Sequence, residues 1–364
     1  MKKKKIVFII NSITITRCLK RISEFIENGY EVDVYGLKRG DEVYALPSGF
    51  SITIVGSLKR GLPYFTRLRL IYKSIKKIFK QYKKQDVIFY YFFFDVAFTA
   101  RLLCRRPFIY EESDMPYTSI PNKMVRLLFG EIDKRMIKKS FLTVMTSEGF
   151  IDYHFGDNRP ANIVVVPNRV NPALLNLSYS RKEIETNHLS FSFVGGFRYT
   201  SVLNFAEVIG VHFPQHEFHV YGVILENEYA LMSLCKEHAN IHFHGKFRNP
   251  DDLPSIYENT DVVLAAYDAT YINAQYAEPN KMYEAIFFRT PIIVSNNTFL
   301  AKKVERLGIG FTINALDKKD IIDFINGLTK ECLTEKIQAL DSIPQEDATN
   351  KNPQLFQYFQ NMLC

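Results

Sequence analysis

The chain has 364 residues, 47% of them hydrophobic, enough to fill two ordinary cores and too many for a disordered or low-complexity polypeptide. No apolar run reaches the roughly 18 residues of a membrane span, and the opening Met-Lys-Lys-Lys-Lys-Ile-Val-Phe-Ile-Ile-Asn has too short an apolar core for a signal peptide. The formal charge of +7 is uneven: residues 1–175 carry 30 Lys+Arg against 16 Asp+Glu, or +14, and residues 176–364 carry 16 against 23, or −7, so the first half suits an anionic partner, nucleic acid and membrane both being open.

In chain order, Lys5 to Ile10 predicts a first strand behind a basic tail, Arg17 to Asn28 a helix with Leu19, Ile22, Phe25 and Ile26 on one side, and Glu31 to Gly36 a second strand. This opening is of doubly wound type, and with no G-x-G-x-x-G after the first strand a dinucleotide cofactor is not expected there. Ser51 to Val55 alternates as a strand. Leu58 to Lys84 then holds ten basic residues and no acidic one, interleaved with Leu62, Phe65, Leu68, Leu70, Ile71, Ile75, Ile78 and Phe79. Its latter part reads as a basic amphipathic helix, suited to an anionic bilayer surface or to a solvated outer face over a core.

Asp86 to Phe94 predicts a buried strand, Ala97 to Cys104 a short helix, and Pro107 to Tyr110 a strand that leads into Glu111-Glu112-Ser113-Asp114. Carboxylates at the carboxyl end of a central strand sit where such folds bind ligands, so Glu111, Glu112 and Asp114 are the general-base candidates of this half; capping the next helix is their other reading. Asn122 to Lys139 predicts a helix, Phe141 to Met145 a strand, and Ile163 to Asn171 closes a first domain at residues 1–175.

Residues 176–188 are polar and mixed in charge and read as a linker before a second domain at 189–345. Ser190 to Tyr199 predicts a strand and glycine loop, in which Gly195 and Gly196 let backbone approach a ligand and Arg198 can make a bidentate contact to phosphate. Strands are expected at Glu217–Tyr221, Ile241–His244 and Asp261–Ala265, with helices around 226–237 and 250–258. The last segment, 346–364, carries a helix near Pro353–Leu363 that is expected to cross back to the first domain through Leu355, Phe356, Phe359 and Leu363. Cys18, Cys104, Cys235, Cys332 and Cys364 are scattered without ligand or disulfide spacing, which points to a reducing cytoplasm. His212, His216 and His219 have ligand-like spacing interrupted by Phe-Pro-Gln, and His242 and His244 alternate along a strand; all read as structural, and no metal site is expected.

The chain from Tyr276 to Val294 is the most specific stretch. Its punctuation predicts a loop, a helix beginning near Asn280 with Pro279 at its start, a turn at Arg289-Thr290-Pro291, and a buried strand Ile-Ile-Val. A helix N-terminus beside Lys281 suits a diphosphate, and Glu284, four residues after Asn280, lies on the same face, where a carboxylate can accept both hydroxyls of a ribose. The same residues also suit a solvated lysine and a capping glutamate.

Glu-Pro-Asn-Lys-Met-Tyr-Glu followed by Pro-Ile-Ile resembles the nucleotide-sugar signature of GT-B glycosyltransferases, particularly the retaining group called family 4. Asn-Gly-Tyr-Glu-Val-Asp-Val, Val-Val-Pro-Asn-Arg-Val-Asn and Asn-Thr-Asp-Val-Val-Leu resemble further parts of that fold. The resemblance implies two facing Rossmann-like doubly wound domains with an interdomain cleft. It implies a ribose-binding role for Glu284, while the first glutamate of the E-x7-E motif falls on Tyr276 and the nearest carboxylate is Glu278, at E-x5-E spacing. Donor contacts are expected from Gly195, Gly196, Arg198, Glu278, Pro279, Asn280, Lys281 and Glu284, catalytic roles for Arg198, Lys281, Glu278, Asp114 and Glu112, and the acceptor side at Glu111, Glu112 and Asp114.

The implied activity is transfer of a sugar from a UDP- or GDP-sugar to a glycan or lipid-linked acceptor in bacterial cell-surface polysaccharide synthesis, such as capsule, O-antigen or exopolysaccharide. No cofactor is needed beyond the nucleotide-sugar co-substrate, and with no Asp-x-Asp motif Arg198 and Lys281 would neutralise the leaving diphosphate without a metal. The implied location is the cytoplasm, at the inner face of the membrane through residues 58–84. The other readings are a nucleotide-sugar 2-epimerase of the same fold and a nucleic-acid-binding protein; no recognised nucleic-acid module surrounds the basic segment, so nucleic acid is not the expected partner.

Overall fold

The computed structural model describes residues 5–39, 49–59, 61–181 and 183–363. The basic tail before Lys5, Arg60 and Cys364 lie outside these. The chain divides into two compact units, the first built from residues 1–166 with 352–364 and the second from residues 167–351.

The first unit holds a parallel sheet of β1 (Lys5–Ile10), β2 (Val32–Arg39), β3 (Thr53–Leu58), β4 (Val87–Phe92), β5 (Phe108–Glu112), β6 (Leu142–Met145) and β7 (Ile163–Val165), in the order β3-β2-β1-β4-β5-β6-β7. Strands covered on both faces carry continuous apolar runs, and β4, Val-Ile-Phe-Tyr-Tyr-Phe, is buried at every position. The strand order reverses between β1 and β4, the point at which doubly wound sheets open a crevice at their carboxyl ends.

The helix Tyr64–Gln81 settles one sequence alternative. Leu68, Ile71, Ile75 and Ile78 are buried against the unit's own core, and Phe79 stands 4.8 Å from Phe89. That row is therefore packed inward; what remains outward are Phe65 and Thr66 in the first turn and then Arg69, Lys73, Lys76, Lys77 and Lys80.

The second unit repeats the plan with β8 (Ser190–Val194), β9 (Glu217–Tyr221), β10 (Ile241–Gly245), β11 (Val262–Ala265), β12 (Ile292–Ser295) and β13 (Gly310–Ile313), in the order β10-β9-β8-β11-β12-β13. Its switch point lies between β8 and β11.

The division differs from the predicted boundaries. The crossing falls at Val166–Pro167 rather than near 175, because Val170 pairs with Thr349 and its N–H bonds the Ala348 carbonyl at 3.0 Å. Residues 176–188 are bound into the second unit instead of forming a free linker: the Tyr179 hydroxyl donates to the Phe288 carbonyl at 2.8 Å, Arg181 donates to the Arg289 carbonyl at 3.3 Å, and Ile184 is buried in the core. Polarity of sequence hid these contacts, since most are made to backbone carbonyls. The terminal helix Pro353–Leu363 returns to the first unit, where Phe356 and Phe359 stand 5.1 and 5.7 Å from Phe25.

Candidate active site

The site of the second unit assembles at its switch point. At the end of β8 the chain turns through Gly195 and Gly196 into the helix Thr200–His212. The start of that helix is pinned by Asp268, which follows β11 and accepts from the Thr200 and Ser201 N–H groups at 3.0 and 2.8 Å. Behind the loop Gly222 has φ +139°, and a Cβ there would fall 1.9 Å from the Gly195 carbonyl oxygen, so only glycine lets the two turns pack.

The third wall is the helix Asn280–Phe287, whose first turn follows Pro279 in an extended conformation with no side-chain cap. Its first N–H groups are thus available to an anion. Lys281 and Glu284 are both buried, and the lysine Nζ donates to both glutamate oxygens at 2.9 and 2.8 Å. Asn280 Nδ2 donates to Glu284 Oε1 at 2.8 Å, and the Tyr257 hydroxyl donates to Oε2 at 2.8 Å. Burial, and then the Glu284 charge, push the Tyr257 hydroxyl far above the usual tyrosine range.

The glycine loop and this helix meet: a Cβ on Gly195 would stand 3.8 Å from Lys281 Cε. Tyr267, at the end of β11, feels both Arg198 and Glu284, and its ring lies 4.7 Å from that of Tyr199. Arg198 is exposed, with its guanidinium 5.4 Å from the Tyr199 ring. Gly195, Lys281, Glu284 and Asn280 are thereby brought together as the sequence spacing suggests, with one difference. Lys281 and Glu284 bond each other directly rather than standing at opposite ends of a ligand.

Glu278 is buried by side chains that the sequence did not single out. It accepts from Lys303 Nζ at 2.7 Å and from the Tyr283 hydroxyl, and Arg169 lies 5.6 Å from the Tyr283 ring. Tyr276 ends the helix Ile272–Tyr276. Tyr257, Tyr267, Asp268 and Lys303 carried no local signal, because they reach the site from three separate segments: the helix before β11, the loop after it and the helix Phe299–Leu307.

In the first unit the acidic run behaves differently from its prediction. β5 does not stop at Tyr110 but continues through Glu112, with Glu111 opposite Phe92 and Val144. Alternation along the strand sends the two glutamates to opposite faces, and both are fully buried. Glu111 accepts from Arg21 Nε at 3.1 Å and from the Tyr90 hydroxyl. Glu112 lies 2.8 Å from His154 Nε2, with Asp133 a further 3.7 Å from the same nitrogen. Burial raises Glu112 and Asp133 well above the carboxylate range and lowers His154, and Glu112 Oε2 and His154 Nδ1 have no hydrogen-bond partner among the described residues. Neither glutamate side chain reaches the surface. Asp114 remains more than half exposed, 3.9 Å from Arg17 Nη2.

At the first unit's own switch point, Phe93 adopts φ +69°, a conformation that costs a bulky residue free energy. Around it Asn11 Nδ2 donates to Asp95 at 3.3 Å, Arg67 pairs with Asp95 at 3.1 Å, and the Arg17 guanidinium lies 5.5 Å from the Phe93 ring. Sequence reasoning missed Arg17, Arg67 and Asp95; the switch-point position of β4 is the signal that finds them.

No family model matches the chain, and no curated protein matches it. Solved structures do. Sucrose-phosphate synthase from Thermosynechococcus elongatus superposes with a TM-score of 0.72 at 12% identity over 99% of both chains. HepE from Anabaena, in complex with UDP and glucose, gives 0.70 at 14% identity over 98% of this chain and 100% of that one. A protein described as a UDP-N-acetylglucosamine 2-epimerase from Listeria monocytogenes gives 0.65 at 13% identity over 100% and 97%. At such identities the likeness speaks for architecture, and the chain has the GT-B fold of two Rossmann-like α/β domains.

Proposed function

We propose that the chain is a glycosyltransferase that moves a sugar from a UDP- or GDP-sugar to a glycan or lipid-linked acceptor. The observation that carries this reading is the buried Lys281–Glu284 pair at the start of the helix Asn280–Phe287, beside the Gly195 loop at the switch point of the second sheet. A nucleotide entering here offers Lys281 a diphosphate in place of Glu284, and offers Glu284 a ribose diol in place of Lys281. Both buried charges then keep partners, which a site that received only one end of the nucleotide would not provide. HepE was solved with UDP and glucose, in keeping with this use of the fold.

In the transfer an acceptor oxygen bonds the anomeric carbon, the bond from that carbon to the diphosphate oxygen breaks, and the nucleoside diphosphate leaves with the electron pair. Lys281, the helix N–H groups and Arg198 oppose the charge that grows on the leaving oxygens. The acceptor proton passes to a general base, the role that the sequence expects of Asp114, whose side chain is exposed. The outward lysines of Tyr64–Gln81 favour an acceptor held at an anionic membrane, such as a lipid-linked glycan on the way to a surface polysaccharide.

The test is a screen of UDP- and GDP-sugars scored by nucleoside diphosphate release, with and without EDTA. Release that needs an added acceptor and persists in EDTA is expected, and it should fall by about 100-fold in Arg198→Ala, with the Arg198→Ala/Lys281→Ala pair little worse than the worse single. Strict dependence on Mg²⁺ or Mn²⁺ would move leaving-group stabilisation to a metal. Conversion of the donor to its C2 epimer without acceptor would establish the epimerase instead, the reading that the Listeria likeness favours.

A further inference from the structure

Away from the donor site the second sheet gathers side chains whose sequence spacing reads as structural. β9 and β10 run parallel with His242 opposite His219, so the two imidazoles project from one face, stacked with ring centroids 4.8 Å apart. Phe218 and Val220 point into the core under the helix Thr200–His212, which places Glu217, His219 and Tyr221 on the other face. Glu217 Oε2 lies 3.1 Å from His219 Nε2. His244, shifted by an irregularity between Phe243 and Gly245, stacks on Tyr221 at 4.2 Å and brings Nε2 to 3.0 Å from His219 Nδ1.

Two features separate this group from a chance run of histidines. One ligand atom from each of Glu217, His219 and His242 falls within 4.8 Å of the others. His242 Nε2 is buried and has no hydrogen-bond partner among the described residues, a state that costs free energy unless something else occupies its lone pair or its proton. β10 is also the edge strand of the sheet, so an ion can arrive from solvent.

We propose that Glu217, His219 and His242 form a site for a divalent transition metal, with Zn²⁺ as its chemical class of occupant. Two imidazoles and a carboxylate are a ligand set that suits zinc, with the fourth position left to water. With His219 Nε2 on the metal, its single proton sits on Nδ1 and is donated to His244 Nε2, so His244 fixes the tautomer and ring orientation as an outer partner. Glu217 opens β9 at its amino end, whereas the donor loop follows the carboxyl end of β8, so the metal site and the donor site are separate.

The experiment uses the full chain stripped of metal, titrated with Zn²⁺ against a chromophoric chelator and separately with Co²⁺, read by visible absorption. One ion per chain and the intense absorption of tetrahedral Co²⁺ are expected. His242→Gln and Glu217→Gln should each weaken Zn²⁺ binding by at least about 100-fold, and His244→Gln by about 10- to 100-fold. His212→Gln, at the exposed end of the helix Thr200–His212, should change nothing. Circular dichroism identifies a variant that fails to fold, and two independent ligand variants keep the answer accessible. A parent that binds no ion one-to-one, or parental affinity in the folded ligand variants, overturns the site.

Discussion

At the scale of the residue, the central fact is that a carboxylate and an ammonium are buried in mutual contact at Glu284 and Lys281. Removing one partner leaves the other charge buried and alone, so Glu284→Gln and Lys281→Met should each destabilise the protein by about 3 kcal/mol in urea unfolding, and the double variant by less than the sum. All three should lose nucleoside diphosphate affinity by calorimetry, Glu284→Gln by about 10-fold or more. Parental affinity in folded Glu284→Gln would place the ribose elsewhere. Glu112 presents the opposite case. Burial raises its pKa above 4.5, so its contribution to stability is complete below pH 4.5 and is lost as pH rises through the raised value. Glu112→Gln keeps shape and donor and cannot ionise; it should match the parent at low pH, exceed it at pH 8 and retain turnover, whereas Glu112→Ala should cost about 3 kcal/mol. A loss of turnover in a stable Glu112→Gln variant would return the residue to catalysis.

At the scale of the element, the helix Tyr64–Gln81 shows how one amphipathic pattern supports two readings. An apolar row beside a basic row is what both a membrane-surface helix and an outer helix of a Rossmann domain require. The burial of Leu68, Ile71, Ile75 and Ile78 leaves charge, and Phe65 in the first turn, for a membrane to meet here. Binding to vesicles through this element is therefore expected to be electrostatic, rising with anionic lipid and collapsing in high salt. Changing Lys73, Lys76, Lys77 and Lys80 to Gln together should remove most of it, at roughly 1 kcal/mol for each charge. Salt-resistant sedimentation of that variant would point instead to exposed apolar groups, namely Phe65 in the first turn of this helix and Leu102, Met124, Leu127 and Leu128 on the helices that follow. The helix Asn280–Phe287 is unambiguous by comparison, because Pro279 at its start and Arg289-Thr290-Pro291 after its end leave little freedom in its limits.

At the scale of the whole molecule, the chain builds the same strand order twice and then returns to the first unit with its terminal helix. Leu355, Phe356 and Phe359 are buried there, and each contributes on the order of 1.5–3 kcal/mol by leaving water, which is ample to hold a short helix. The charge asymmetry also follows this division, since the basic half lies almost wholly in the first unit and the acidic half in the second.

The sequence by itself determined the strand–helix alternation, the two-domain plan and the stretch around Lys281 and Glu284. Those rest on local periodicity, on prolines at helix ends and on i, i+4 spacing, all of which are written within about 20 residues. Only the tertiary structure decided that Glu111 and Glu112 face opposite sides of a buried strand, that Asp268 caps a helix 68 residues earlier, and that Tyr257 shares Glu284 with Lys281. The same holds for Lys303 on Glu278 and for His242 beside His219. Each of these depends on which strands become neighbours and in what register, and a parallel sheet makes neighbours of residues that the sequence keeps far apart.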